Sequence, residues 1–177
     1  MNEKGKLSRN AIAEGIINNV RKTIIRDQLT DPMFYEEMSK LLEDLIKQKH
    51  DDTESYEQFL MKAEELAKKL GTGKGENGVP AALHGNKEAT VLNNNLPGVL
   101  AAAGPANTAA EPEAVFGDEF LALALKLDKA IREKAPAGWK GDSAREAQVL
   151  NAIYPLMNKN EAATQAIFEI IKNQPGY

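Results

Sequence analysis

Nine cations are placed to bind an extended anion: Lys126, Lys129, Arg132, Lys134, Lys140 and Arg145, and nearer the start Arg21, Lys22 and Arg26. The chemistry is phosphate binding, in which lysine and arginine on one accessible face give salt-sensitive affinity for a polyanion. Lys126, Lys129 and Arg132 step at spacing three along one side of an expected helix. Lys134, Lys140 and Arg145 gather at its end, around the only tryptophan, Trp139. For Arg21, Lys22 and Arg26, compensation of a helix dipole accounts for the charges as well as DNA contact does. Trp139 has the ring to stack on a base, but a buried indole is the commoner role, and it is assigned to the core.

Other chemistries find little support. Gly73 to Gly78 satisfies the G-x-G-x-x-G fingerprint, which works only between a strand and the helix it opens; here it follows a helix and opens none. Asp118-Glu119 resembles an acidic nucleotide-binding motif, yet no G-K-[ST] loop occurs, and helix-capping acids are the better reading. His50 and His84 are the only histidines, both in polar, loop-like sequence, and neither a triad nor a metal site has supporting neighbours. There is no cysteine and no Glu-x-Lys tripeptide of the kind a metal-dependent nuclease uses. No catalytic, cofactor-binding or metal-ligating residue is therefore assigned.

The net charge of −4 hides an uneven distribution. Lys4 to Arg26 is basic, Glu36 to Glu65 is acidic, and basic character returns from Lys126 to Arg145, so one face can meet a polyanion despite the acidic total. The absence of cysteine, of a long apolar run and of a signal-peptide pattern leads to the expectation of a cytoplasmic protein.

The elements that must position the cations read as all-α, a bundle of about six helices. Ser8 is an expected N-cap for a helix carrying Ile12, Ile16, Val20 and Ile24. Asp31-Pro32 opens a second helix with Met33, Phe34, Met38, Leu42 and Leu45 on its apolar face, reaching about Lys49. Ser55 with Gln58 forms a capping box for a third, ended by Gly71. Residues 1–70 are thus an N-terminal three-helix segment. Residues 71–117 hold eight of the 13 glycines and four of the eight prolines, which predicts a flexible linker with a short helix near 88–96. Residues 118–177 carry helices capped at Asp118, by a Ser143–Glu146 box and at Asn160, with Pro155 ending the middle one; they are expected to pack on the first segment as one domain.

The pattern LALALKLDKAIREKAPAGWKG resembles the C-terminal region of the restriction, or motor, subunit of type I restriction-modification enzymes. IINNVRKTIIRDQLTDPMFYEEMSKLLEDLI and LNNNL are similar to two further pieces of that region, in the same order. The chain departs from the pattern at Asn93, where an aromatic is usual, and in the Ala/Gly/Pro stretch from Pro97 to Phe116. The resemblance implies a helical piece of a longer subunit whose nuclease and helicase lobes use ATP and Mg. It implies assembly on the methyltransferase and specificity subunits, contact with those helicase lobes and with duplex DNA, and no catalysis by this piece alone. The alternative is a helical protein-interaction module that never meets nucleic acid.

Overall fold

Ala13, Ile17, Val20 and Ile24 form one buried line along the first helix, the i, i+4, i+7, i+11 pattern of a single helical face. In the computed structural model, which describes residues 3–47, 53–72, 79–104 and 118–177 and the side chains of 11–47, 56–72, 79–104 and 119–177, this helix is α1, Glu3–Asp27. It starts ahead of Ser8, so Ser8 lies within it instead of capping it. Val20 and Ile24 are buried as expected, while at the start of the stripe Ala13 and Ile17 are buried, with Ile12 51% exposed and Ile16 at the margin.

Helices α2 (Pro32–Lys47) and α3 (Thr53–Thr72) complete the first of two compact units, residues 1–28 with 34–78. The α3 start at Thr53 precedes Ser55, whose side chain lies outside the described residues. Phe34, Met38, Leu42 and Leu45 from α2 and Phe59, Ala63 and Leu66 from α3 join the α1 line in one apolar cluster. Proline at the first position of α2 costs nothing there, because that amide has no helical partner.

The second unit comprises residues 29–33 and 79–177, and its centre is a helix where a linker was expected. A 3₁₀ turn, Ala81–Leu83, leads to Asn86, whose side chain accepts from the Ala89 amide at 3.1 Å and caps α4, Lys87–Ala102. Ala89, Leu92 and Leu96 are completely buried on α4, which is more than the short element expected at 88–96. The helix runs through Pro97, which sits on its exposed side, since Leu96 on one side and Val99 and Leu100 on the other pack on the core. That packing offsets the hydrogen bond proline removes. The flexible-linker expectation is corrected for residues 81–102, and residues 73–78 and 105–117 lie outside the described residues.

Helix α5 (Asp118–Lys134) and α7 (Glu161–Lys172) both pack on α4, and α6 (Ser143–Ile153) packs on α5 and α7. These helices form one core with α4, whereas the sequence pattern groups them with residues 1–70. Asp142, one residue before the expected Ser143, caps α6 by accepting from the Ala144 and Arg145 amides; Glu146 accepts from the Gly141 amide at 2.7 Å. Pro155 follows the end of α6, and Asn160 caps α7 by accepting from the Ala163 amide at 3.0 Å. Every described element is helix or turn, and among the described residues no helix is long and apolar enough to cross a membrane.

Candidate nucleic-acid interface

Helix α5 divides its charges between two faces. Ala124, Leu127 and Ile131 are buried in the core, and beside them Asp128 is only 6% exposed. A carboxylate taken out of water needs donors, and Asp128 has three. Asn86 Nδ2 donates to it at 2.8 Å, Arg132 Nε at 2.9 Å and the Tyr177 hydroxyl at 2.7 Å. Arg132 also pairs with Glu88 at 3.1 Å and lies over the Tyr177 ring, 5.3 Å from its centroid. Burial alone would lower the Arg132 pKa; Asp128, Tyr177 and Glu88 outweigh it and raise the value. Burial, with the Asp128 hydrogen bond and charge, pushes the Tyr177 phenol well above its ordinary range. Gly176 lies so close to the Glu88 carboxylate that there is no room for a Cβ.

Lys126, Lys129 and Lys134 are all exposed on the same helix. Lys129 is 3.8 Å from Glu133, one helical turn on, and Lys126 and Lys134 form no ion pair among the described residues. An exposed i,i+4 pair contributes only about 0.3–0.5 kcal/mol and yields readily to another anion.

The other two cations of this region hold the corner after α5. Lys140 Nζ donates to the Gln174 carbonyl and sits 5.5 Å from the Trp139 ring centre, and burial pushes its amine down. Arg145 Nη1 donates to the Ala137 carbonyl at 2.7 Å, with its Nε 3.4 Å from Asp142. Those contacts fasten a turn whose Gly138 has φ +64, a left-handed conformation that favours glycine. Trp139 is 3% exposed, tilted against Phe168 at 5.7 Å, and so belongs to the core.

Arg21, Lys22 and Arg26 belong to α1 in the first unit, where all three are exposed. With Asn18 and Ile25 they line a shallow groove of about 320 Å³, and Arg26 pairs with Asp27 at 2.6 Å. The nine cations therefore do not form one cluster. Three are exposed on α5, three are engaged in internal contacts of the second unit, and three lie on α1. Of the two histidines, His84 is exposed with Nε2 3.0 Å from the Val79 carbonyl oxygen, and His50 lies outside the described residues.

Asp31, read from the sequence as a helix start, and the LNNNL asparagines build a second polar cluster that the sequence reading did not join. Asp31, 6% exposed, accepts from Asn94 Nδ2 at 2.9 Å and Asn95 Nδ2 at 2.6 Å. Asn95, 1% exposed, also donates to the Val91 carbonyl at 2.8 Å and accepts from the Met33 amide at 3.1 Å. Gln174 Nε2 donates to the Thr30 and Ile170 carbonyls. The one available signal was composition: three successive asparagines between leucines are poor helix formers and call for partners. Comparison with protein-family models, with curated proteins and with solved structures finds no match to this chain.

Proposed function

We propose that this chain is the helical C-terminal assembly region of the motor subunit of a type I restriction-modification enzyme. In this reading it docks the motor, an ATP-dependent DNA translocase and endonuclease of the cytoplasm, on the methyltransferase and specificity subunits. It also borders the helicase lobes of its own subunit, which use the ATP and Mg, and it catalyses nothing itself. One observation carries the reading. The three stretches that resemble the family are far apart in sequence, yet they are fastened to one another within the second unit. Asp31 of the first bonds Asn94 and Asn95 of LNNNL, and Lys140 of the tryptophan corner bonds Gln174, which bonds Thr30. Buried polar contacts of this kind hold the three stretches in one arrangement, which suits a docking module.

Duplex DNA contact is assigned to Lys126, Lys129 and Lys134, the α5 cations with the least internal engagement. Arg21, Lys22 and Arg26 supply a further exposed set on α1. The alternative, protein interaction without nucleic acid, is favoured by one observation: Arg132, Lys140 and Arg145 are all bonded internally. Two measurements separate the readings. Mixed with a methyltransferase–specificity core, the chain co-elutes as a stable complex in size exclusion; failure to do so removes the assembly proposal. Its affinity for duplex DNA falls steeply with salt, and replacing the three lysines by alanine lowers the logarithmic salt slope by about 2–3. Capture of the core with no salt-dependent DNA binding establishes the alternative.

A further inference from the structure

Two exposed apolar side chains of the first unit sit among charges of opposite sign. Ile25 on α1 is 61% exposed and shares its shallow groove with Asn18, Arg21, Lys22 and Arg26. Arg26 is taken up by Asp27, whereas Arg21 and Lys22 have no partner among the described residues. Met61 on α3 is 72% exposed. Glu57, Glu64 and Glu65 lie four before, three after and four after it, spacings that share one helical face, and all three are exposed. Glu57 has no partner among the described residues; Glu64 and Glu65 hold Lys68 and Lys69 at 2.9 Å and 4.0 Å, surface pairs of little strength. With Asp27 and Lys68 counted in, the α1 face stays basic and the α3 face stays acidic. A lone exposed apolar residue is ordinary on a protein surface; the charges around these two set them apart.

We propose that the α1 face of one copy of this chain docks on the α3 face of a second copy. Within one chain the two faces do not meet, since both stand exposed while other sides of α1 and α3 enter one core. The second copy is singled out by complementarity: it offers an apolar centre ringed by charge of the required sign. Ile25 packs against Met61, an unbranched side chain that adapts to an irregular partner. Arg21 and Lys22 gain carboxylates from Glu57 and Glu64. Duplex DNA, the other candidate for those cations, accounts for neither Ile25 nor the acidic face. The two faces differ, so the contact is heterologous: a copy docked through α1 still offers its α3, and assembly grows into rings or chains. An interface this small and charged is weak and sensitive to salt. The inference goes beyond the assembly reading and does not depend on it, since it needs neither restriction subunits nor DNA.

Sedimentation velocity of the full chain, free of DNA, tests this. Between about 10 μM and about 1 mM protein the average mass rises with concentration, and it falls back as salt goes from about 50 mM to about 500 mM. R21E/K22E, which reverses the α1 face, and E57K/E64K, which reverses the α3 face, each stay monomeric. Mixed in equal amounts they associate again, because each reversed face now finds a reversed partner. I25S or M61S weakens the native association by about tenfold, the loss of one small apolar centre. A native chain that stays monomeric throughout, or an association indifferent to salt, overturns the proposal. Reversal variants that associate alone as the parent does, or a mixture of the folded variants that stays monomeric, overturn it too. Mass that rises only when duplex DNA is added assigns the α1 cations to DNA and is equally fatal. Should a reversal variant fail to fold, the salt series and the I25S and M61S losses still decide.

Discussion

The two compact units are both helical and both have an apolar core, but they are built on different terms. In the first, the buried side chains described are all hydrophobic, from Ala13 on α1 to Leu66 on α3. In the second, the apolar core is accompanied by every buried polar side chain described: Asp31, Asn95, Asp128, Thr164 and Gln174. Apolar contacts tolerate sliding and repacking, whereas a desolvated carboxylate with three donors is satisfied in one geometry only. The second unit is therefore specified by polar contacts as well as by packing. A docking surface that must present one shape is expected on the second kind.

The largest effect comes from the apolar part that both units share. Leu92→Ala, at the fully buried centre of α4, destabilises the second unit by about 2–5 kcal/mol. Denaturant melts followed by Trp139 fluorescence, which reads that unit, shift to a lower midpoint. Met38→Ala shifts the far-UV dichroism of the first unit while the Trp139 transition stays put. Movement of both transitions by both substitutions would show that the two units unfold as one and would break the comparison.

Removing the polar specification comes next. Asp128→Ala deprives Asn86, Arg132 and Tyr177 of their acceptor and costs about 2–4 kcal/mol, read from the same midpoint. Lys126→Ala, two residues away and exposed, changes it by less than about 0.5 kcal/mol. A loss for Asp128 as small as that for Lys126 contradicts the claim that polar contacts specify this unit.

Tyr177 adds a pH dependence of fixed sign. An unfolded tyrosine ionises near pH ~10, whereas folded Tyr177 holds its proton to higher pH. The unfolded chain then binds fewer protons, so stability from this group is complete below about pH 10 and is lost as pH rises above it. Tyr177→Phe is less stable than the parent at neutral pH and shows a shallower alkaline decline. An identical alkaline slope in the two proteins refutes the assignment.

Smaller still is the Asn160 cap: Asn160→Ala costs about 1 kcal/mol at the start of α7. Lys159 beside it has φ +57, so Lys159→Gly relieves left-handed strain and gains up to about 1 kcal/mol, read as a higher midpoint.

Some of this architecture is legible in the residues and some is not. Helix ends marked by a dedicated residue fall where expected at Pro32, Pro155 and Asn160, because proline and capping asparagine act through their own backbone turn. The α6 cap is displaced by one residue, since Asp142 and Ser143 are both able caps and only the turn geometry chooses. Helix α4 reads as too short because its asparagines, Gly98 and Pro97 are weak formers, and its stability comes from Leu92 and Leu96, buried by helices distant in sequence. For the candidate site, the sequence pattern locates the cations but not their partners. Lys129 and Arg132 look alike at spacing three; Asp128, Glu88 and Tyr177 separate them, and two of those three lie more than 40 residues away.

Thr30 and Gln174 are 144 positions apart, and their hydrogen bond has a kinetic consequence. The turn between α1 and α2 belongs to the second unit, so that unit is assembled from two separate lengths of chain. A ribosome delivers residues 29–33 long before Gln174, Asn95 or Asn94 exist to receive them. The helices of the first unit all precede residue 79, while the second is closed by a contact between residues 144 positions apart. Formation of the second unit therefore includes closing this long loop, a step that the first unit does not need.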